Sequence, residues 1–218
     1  MNKCYRVVRA VLAALFRILY PYRFIRSPQV SGGAIYCANH IFLFDPAFLA
    51  FTEKKRQIHF MAKAELFKNK FMDSVFRACG AFPVARGKGD THAVRTANDL
   101  LEQNKIIGIF PEGTRSKTGE LGNGKPGVAM LAYQQQVPII PFAICCRSAH
   151  PKLFRRVLVV CGDPILPEEL GIVNGNGPEY RNATRMIMRR IAELQAEGRA
   201  LLGMVQQDTA TPDEGETA

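Results

Sequence analysis

The run Lys105-Ile106-Ile107-Gly108-Ile109-Phe110-Pro111-Glu112-Gly113-Thr114-Arg115-Ser116 decides how this chain is to be read. Its first half is a short apolar β-run. Its second half is a turn that carries a carboxylate, a hydroxyl and a guanidinium close together. Pro, Gly, Thr and Ser form turns in any surface loop, yet an apolar strand that delivers such a cluster to its end is where α/β proteins place their sites. Outward from this run, β-type stretches at 34–38, 57–61, 81–84, 138–146 and 157–161 alternate with helical ones. The helical stretches are 46–52, 64–79, 90–103, 128–135 and 179–202. The alternation predicts an α/β fold, a layered domain with a central mixed sheet covered by helices and preceded by an amphipathic N-terminal helix. The expected division is a membrane-associating segment over 1–28, a catalytic-size domain over 29–205 and an acidic disordered tail over 206–218.

Composition supports one folded domain. The 218 residues are 47% hydrophobic and 22% charged, which excludes collagenous, disulfide-scaffold and wholly disordered chains. The net charge is +10, and because the last thirteen residues hold four acids and no base, residues 1–205 carry 29 bases against 15 acids. A basic body attracts polyanions, but charge alone does not separate nucleic acid, anionic lipid and phosphorylated metabolites. Six scattered cysteines with no CxxC point to a reducing compartment. The longest apolar stretch, 7–20, carries Arg9 and Arg17 and is too short to span a bilayer. It also lacks the cleavage site of a signal peptide. Wrapped as a helix, residues 3–20 put Val8, Val11, Leu12, Leu15 and Leu19 on one stripe, with Lys3, Arg6 and Arg17 opposite. Tyr20, Tyr22, Arg23, Phe24 and Arg26 follow, an aromatic and basic mixture suited to a lipid headgroup zone. An amphipathic helix docked on the domain fits the same pattern; the absence of any acid among the first thirty residues favours an anionic bilayer surface.

Four blocks carry the chemistry. Asn39-His40-Ile41-Phe42-Leu43-Phe44-Asp45 follows a predicted strand. Asp45-Pro46 is a good helix start with Asp as N-cap, so Asp45 has a structural job available and His40 can be an ordinary loop residue. Alternatively His40 is a general base whose tautomer Asp45 fixes. The 110–116 turn offers Arg115, a fork of donors that matches phosphate. Gly80-Ala81-Phe82-Pro83-Val84-Ala85-Arg86, with Lys63 upstream, offers two more cations that are either anion ligands or solvated charges. Val137-Pro138-Ile139-Ile140-Pro141 is a core or edge strand, or the wall of an acyl groove.

Together the blocks resemble the glycerolipid acyltransferase family of the lysophosphatidic acid acyltransferase type. Its Asn-His-x4-Asp block is matched at Asn39, His40 and Asp45, and its strand ending in Arg at Phe82, Val84 and Arg86. Its Phe-Pro-Glu-Gly-Thr-Arg-Ser block is matched throughout 110–116, and its Val-Pro-x-x-Pro segment at Val137, Pro138 and Pro141. The blocks fall in family order and cover roughly residues 30–165. One departure is the residue before Val84, a proline where an aromatic or aliphatic residue is common.

The resemblance implies acyl transfer from acyl-CoA or acyl carrier protein to the sn-2 hydroxyl of 1-acyl-sn-glycerol 3-phosphate, giving phosphatidic acid. Glycerol 3-phosphate or another lysophospholipid is the alternative acceptor. His40 would take the hydroxyl proton and Asp45 stabilise the imidazolium. Arg86, Arg115 and Lys63 would hold the acceptor phosphate, and Glu112, Gly113 and Thr114 would shape its pocket. Val137, Pro138, Ile139 and Pro141 are the candidate acyl groove. No cofactor or metal is implied, and the expected partners are an anionic membrane surface, lysophosphatidic acid and the thioester donor, not nucleic acid. The expected location is the cytoplasmic face of the cell membrane, peripheral or monotopic. Against a serine hydrolase stands the lack of a Gly-x-Ser-x-Gly elbow, and Cys37 sits in a β-run that argues for burial. A basic nucleic-acid-binding module explains the charge but not the clustering of His, Asp, Glu and Arg at strand ends. A membrane-binding protein without catalysis leaves all four blocks idle.

Overall fold

The computed structural model describes residues 3–28, 30–84 and 90–203. Seven strands form one sheet: β1 (Tyr22–Ile25), β2 (Ala34–Ala38), β3 (Ile58–Lys63), β4 (Ala81–Val84), β5 (Ile106–Ile109), β6 (Ile139–Cys146) and β7 (Val157–Cys161). Their spatial order is β1-β7-β6-β2-β5-β3-β4. The five strands from β6 to β4 run parallel, while β7 is antiparallel to β6 and carries β1 parallel to itself, so the sheet is mixed. Every residue of β2, β6 and β7 is buried. Strands covered on both faces read as unbroken apolar runs, which is why they were legible.

Helices α1 (Lys3–Leu19) and α2 (Asp45–Thr52) cover one face. Phe16, Phe48 and Phe51 pack there against Tyr36, Ile106 and Phe142. The other face is covered by α4 (Thr91–Glu102), α5 (Gly127–Gln135) and α6 (Gly177–Leu201), through Ala97, Leu101, Val128, Leu131, Ile187 and Ile191. The stretch 64–79, expected as one helix, is two pieces: a 3-10 turn at Ala64–Phe67 and α3 at Lys70–Ala78. Asn69 separates them, its side chain accepting from the amides of Phe71 and Met72 as an N-cap.

Strand β1 was not expected, and it changes the division at residue 28. The aromatic and basic residues 22–25 pair in register with β7, from Tyr22↔Val157 to Ile25↔Val160. Tyr22 and Phe24 turn inward, the Tyr22 ring stacking on Phe51 at 5.3 Å. Arg26 then ties this edge to α6 by two bonds to Glu197, at 2.8 and 2.7 Å. Segment 1–28 is therefore continuous with the sheet. The tail over 206–218 lies outside the described residues.

Helix α1 has two apolar faces. Tyr5 and Phe16 are buried on the domain, with Leu12 and Ala13 beside them. Val7, Val11, Leu15 and Ile18 face outward, and Val7, Val11 and Ile18 are each at least 60% exposed. The stripe expected from the helical wheel is split between the two: Leu12 packs inward while Val11 and Leu15 point away. No helix among the described residues is long and apolar enough to cross a membrane.

On β3, His59 is pushed down to about 4 by burial and by the Lys105 charge. A histidine held below its unfolded value of 6.5 is neutral in the fold while the unfolded chain takes up a proton. Its contribution to stability is present above pH 6.5 and is lost as pH falls toward 4. Thermal melting should therefore fall through that window, and His59→Gln should flatten the slope. Parallel curves for the two proteins would refute the assignment.

Candidate active site

The site lies where β2 and β5 end side by side. Their registers run Ala34↔Ile106 to Cys37↔Ile109, but the chain leaves β2 for α2 on one face and β5 for α5 on the other. Neighbouring parallel strands whose connections diverge open a crevice at their C-terminal ends. His40 follows β2, and Glu112 follows β5.

Asp45 does not cap its helix. The N-cap position of α2 falls to Phe44, and the Asp45 side chain turns back, so that Oδ2 accepts from His40 Nδ1 at 2.8 Å and from the amides of Ile41 and Phe42 at 2.7 Å each. The structural job open to Asp45 in the sequence is thus set aside. Burial pushes its carboxyl above the ordinary carboxylate value, opposed by the His40 bond and the Phe42 and Ile41 amides. Because a carboxylate accepts at Nδ1, neutral His40 carries its proton there, leaving Nε2 as the basic atom. Nε2 has no partner among the described residues.

The 110–116 block holds His40 by its backbone. The His40 amide donates to Glu112 Oε1 at 2.8 Å, and its carbonyl accepts from the Ser116 amide at 2.8 Å. Glu112 Oε2 accepts from Gly122 at 3.0 Å. Both carboxylate oxygens are thus engaged by amides, and Glu112 is a brace between loops. Asn39, fully buried, extends the β2–β6 pairing with its side chain, donating to the Ile144 carbonyl at 3.0 Å and accepting from the Ile144 amide at 2.7 Å. His150 Nδ1 donates to the Ile41 carbonyl at 2.8 Å, another support that the sequence did not single out.

The imidazole is also packed. His40 stacks on Phe110 (4.4 Å, 24°), and Phe110 on Phe60 (6.4 Å, 15°). Phe60 fits because position 108 is glycine: a Cβ there would sit 2.1 Å from the ring. A column of three rings, from Phe60 on β3 through Phe110 after β5, therefore fixes the imidazole plane.

Basic side chains occur on the neighbouring loops and strand ends. Arg115 and Thr114 are exposed in the turn beside Ser116. Gly113 has φ 71°, a conformation glycine adopts without strain. Lys125 crosses over it, and a Cβ at Gly113 would lie 2.8 Å from Lys125 Nζ. Lys125 sits in a glycine-rich loop, and no local pattern marked it. Lys63 ends β3 on the same sheet edge, half-exposed and paired with Glu65 at 3.2 Å, an exposed pair that a phosphate can displace. Arg86 lies outside the described residues.

The candidate acyl groove is not at this site. Ile139 lies beside Ile35, five residues before His40 and so roughly 17 Å away along the strand. Val137 and Ile139 are buried against the helices of the second face, and Pro141 pairs with Cys37 inside the sheet. This segment is core because β6 is flanked by β2 and β7. The loop between His40 and Asp45 itself carries two exposed apolar side chains, Leu43 and Phe44.

A family model described as acyltransferase matches residues 22–145. The chain belongs to the acyltransferase family. It is 35% identical over 140 residues to the 1-acyl-sn-glycerol-3-phosphate acyltransferase of Bacillus subtilis, covering 63% of this chain and 69% of that one. The enzyme of the same name from Streptococcus pneumoniae is 31% identical over 155 residues, 70% of this chain and 57% of the relative. In fold this acyltransferase is similar to the crystal structure of the 1-acyl-sn-glycerophosphate acyltransferase of Thermotoga maritima. The TM-score is 0.67 at 23% identity, with 87% of this chain and 79% of that one covered.

Proposed function

We propose that this acyltransferase moves a fatty acyl group from a thioester, acyl-CoA or acyl carrier protein, to the sn-2 hydroxyl of 1-acyl-sn-glycerol 3-phosphate. The product is phosphatidic acid. The observation that carries the proposal is the Asp45–His40 pair, with Nε2 free at a crevice edged by Arg115, Lys125 and Lys63. The names of the Bacillus subtilis and Streptococcus pneumoniae relatives favour the same acceptor.

The chemistry follows from the geometry. As the acceptor oxygen attacks the thioester carbonyl, His40 Nε2 takes its proton, and Asp45 stabilises the imidazolium through Nδ1. Collapse of the tetrahedral intermediate breaks the carbon–sulfur bond, and the same proton passes from Nε2 to the departing thiolate. Holding the phosphate on Arg115 and its neighbours places the hydroxyl at Nε2, and such positioning can supply several kcal/mol (about 7–11 in the best intramolecular models) of the barrier.

The outward stripe of α1, with Lys3, Arg6 and Arg17 on that helix, supports peripheral attachment to an anionic bilayer. Six free cysteines support the cytoplasmic face. Purified protein assayed with both donors against lysophosphatidic acid, glycerol 3-phosphate and lysophosphatidylcholine should favour lysophosphatidic acid at least tenfold in kcat/KM. Preference for either other acceptor would overturn the assignment.

A further inference from the structure

A second basic concavity lies away from the crevice. Arg17, Pro21, Tyr22, Arg23, Phe24 and Arg156 enclose an open cavity of about 490 Å³ where α1 hands over to β1. Arg17 rests on the Tyr22 ring at 5.4 Å and donates to the Tyr22 carbonyl at 3.3 Å. None of the three arginines has a carboxylate partner among the described residues. Three arginines with no carboxylate partner line one cavity together with Tyr22 and Phe24, and guanidinium groups are the side chains best matched to a phosphate.

The surroundings say where that phosphate comes from. The loop after β6 reads Lys152-Leu153-Phe154-Arg155-Arg156, all exposed. Its Phe154 amide donates to the carbonyl of Leu19, the last residue of α1, at 2.6 Å. Phe154 is 66% exposed with φ at 59°, a backbone conformation unfavourable for a bulky residue. Leu153 and Phe154 are exposed, and the Phe154 amide bond brings their loop to the end of α1, the helix whose outward face carries Val11, Leu15 and Ile18. Arg156 of the same loop lines the arginine cavity. Apolar side chains that would enter acyl chains, beside bases at headgroup level, match a bilayer.

We propose that the Arg17–Arg23–Arg156 cavity binds the phosphate headgroup of an anionic phospholipid in the bilayer, with Leu153 and Phe154 as a second apolar anchor beside α1. This rests on the membrane attachment proposed above. The headgroup would be a lipid of the surface, not the acceptor being acylated, since none of the six lining residues belongs to the crevice. The position carries a mechanical meaning. Tyr20 and Phe16, at the same end of α1, pack on Phe42 and Phe44 of the catalytic loop, at 5.2 and 5.3 Å. A lipid held there keeps the His40 loop at the lipid surface.

The test compares two double variants of the full chain that remove equal charge, R23Q/R156Q in the cavity and R181Q/R185Q on α6. Co-sedimentation uses phosphatidylcholine vesicles with and without phosphatidylglycerol. R23Q/R156Q should weaken binding to the anionic vesicles by about 30-fold, two bases at roughly five- to sixfold each. R181Q/R185Q should weaken it less than about threefold, the share expected of screened long-range charge. Activity of R23Q/R156Q on detergent-dispersed acceptor should stay unchanged, as should its melting temperature. Equal losses in both variants would reduce the effect to net charge and overturn the proposal. So would displacement from vesicles by inorganic phosphate at matched ionic strength, which would mark a free-phosphate site. If Val11→Ser with Ile18→Ser abolishes vesicle binding and R23Q/R156Q does not, membrane attachment stands and the cavity falls. If no variant changes vesicle binding, the attachment itself is wrong.

Discussion

His40→Ala should lower turnover by about 10²–10⁴-fold with the backbone of the site intact. The expectation is clean because the loop is held without the imidazole: the His40 amide and carbonyl are bound to Glu112 and Ser116, and Asn39 remains clamped to Ile144. Asp45→Asn should fall in the same direction. The double variant should be scarcely worse than the worse single one, because the two side chains act as one unit. Initial rates with saturating thioester, alongside a melting curve, make the measurement. Near-normal turnover in a folded His40→Ala protein would remove the mechanism.

The second large effect separates phosphate holding from proton transfer. Arg115→Ala should reduce kcat/KM for lysophosphatidic acid by about 10²-fold, the loss of a charge-assisted bidentate contact of about 3 kcal/mol. Arg115→Lys keeps the charge without the planar fork and should fall between. With a monoacylglycerol acceptor, which has no phosphate, both variants should lose little. Equal proportional losses on the two acceptors would assign Arg115 to the fold or the donor, and the phosphate would pass to Lys63, Lys125 and Arg86.

Most of the sheet could be read from the chain because β2, β5, β6 and β7 are apolar runs, buried on both sides. Strand β1 escaped because it is an edge strand, paired only with β7. Its alternation of Tyr22 and Phe24 with Arg23 is the period-two signal of a half-buried strand, but it reads equally as an interfacial segment. The pairing of His40 with Asp45 was legible from spacing together with the neighbouring block. The role of Glu112 was not, since a carboxylate that braces two backbone amides leaves no local pattern. Lys125 and His150 act across the fold, from ten or more residues away, and only the tertiary structure brings them to the site. The proline-bracketed segment at 137–141 misled because an apolar run looks the same in a core as beside a ligand.

The pairing of β1 with β7 also sets an order of assembly. Ile25 finds its partner at Val160, about 135 residues later in the chain. At 5–20 residues per second of synthesis, that partner emerges roughly 7 to 27 s after β1 does. Throughout that interval Tyr22 and Phe24 lack the strand that pairs with theirs, while Phe16 of α1 can already meet Phe48 and Phe51 of α2. Closure of the β1 edge is therefore a late, long-range step that follows the local docking of α1 on α2.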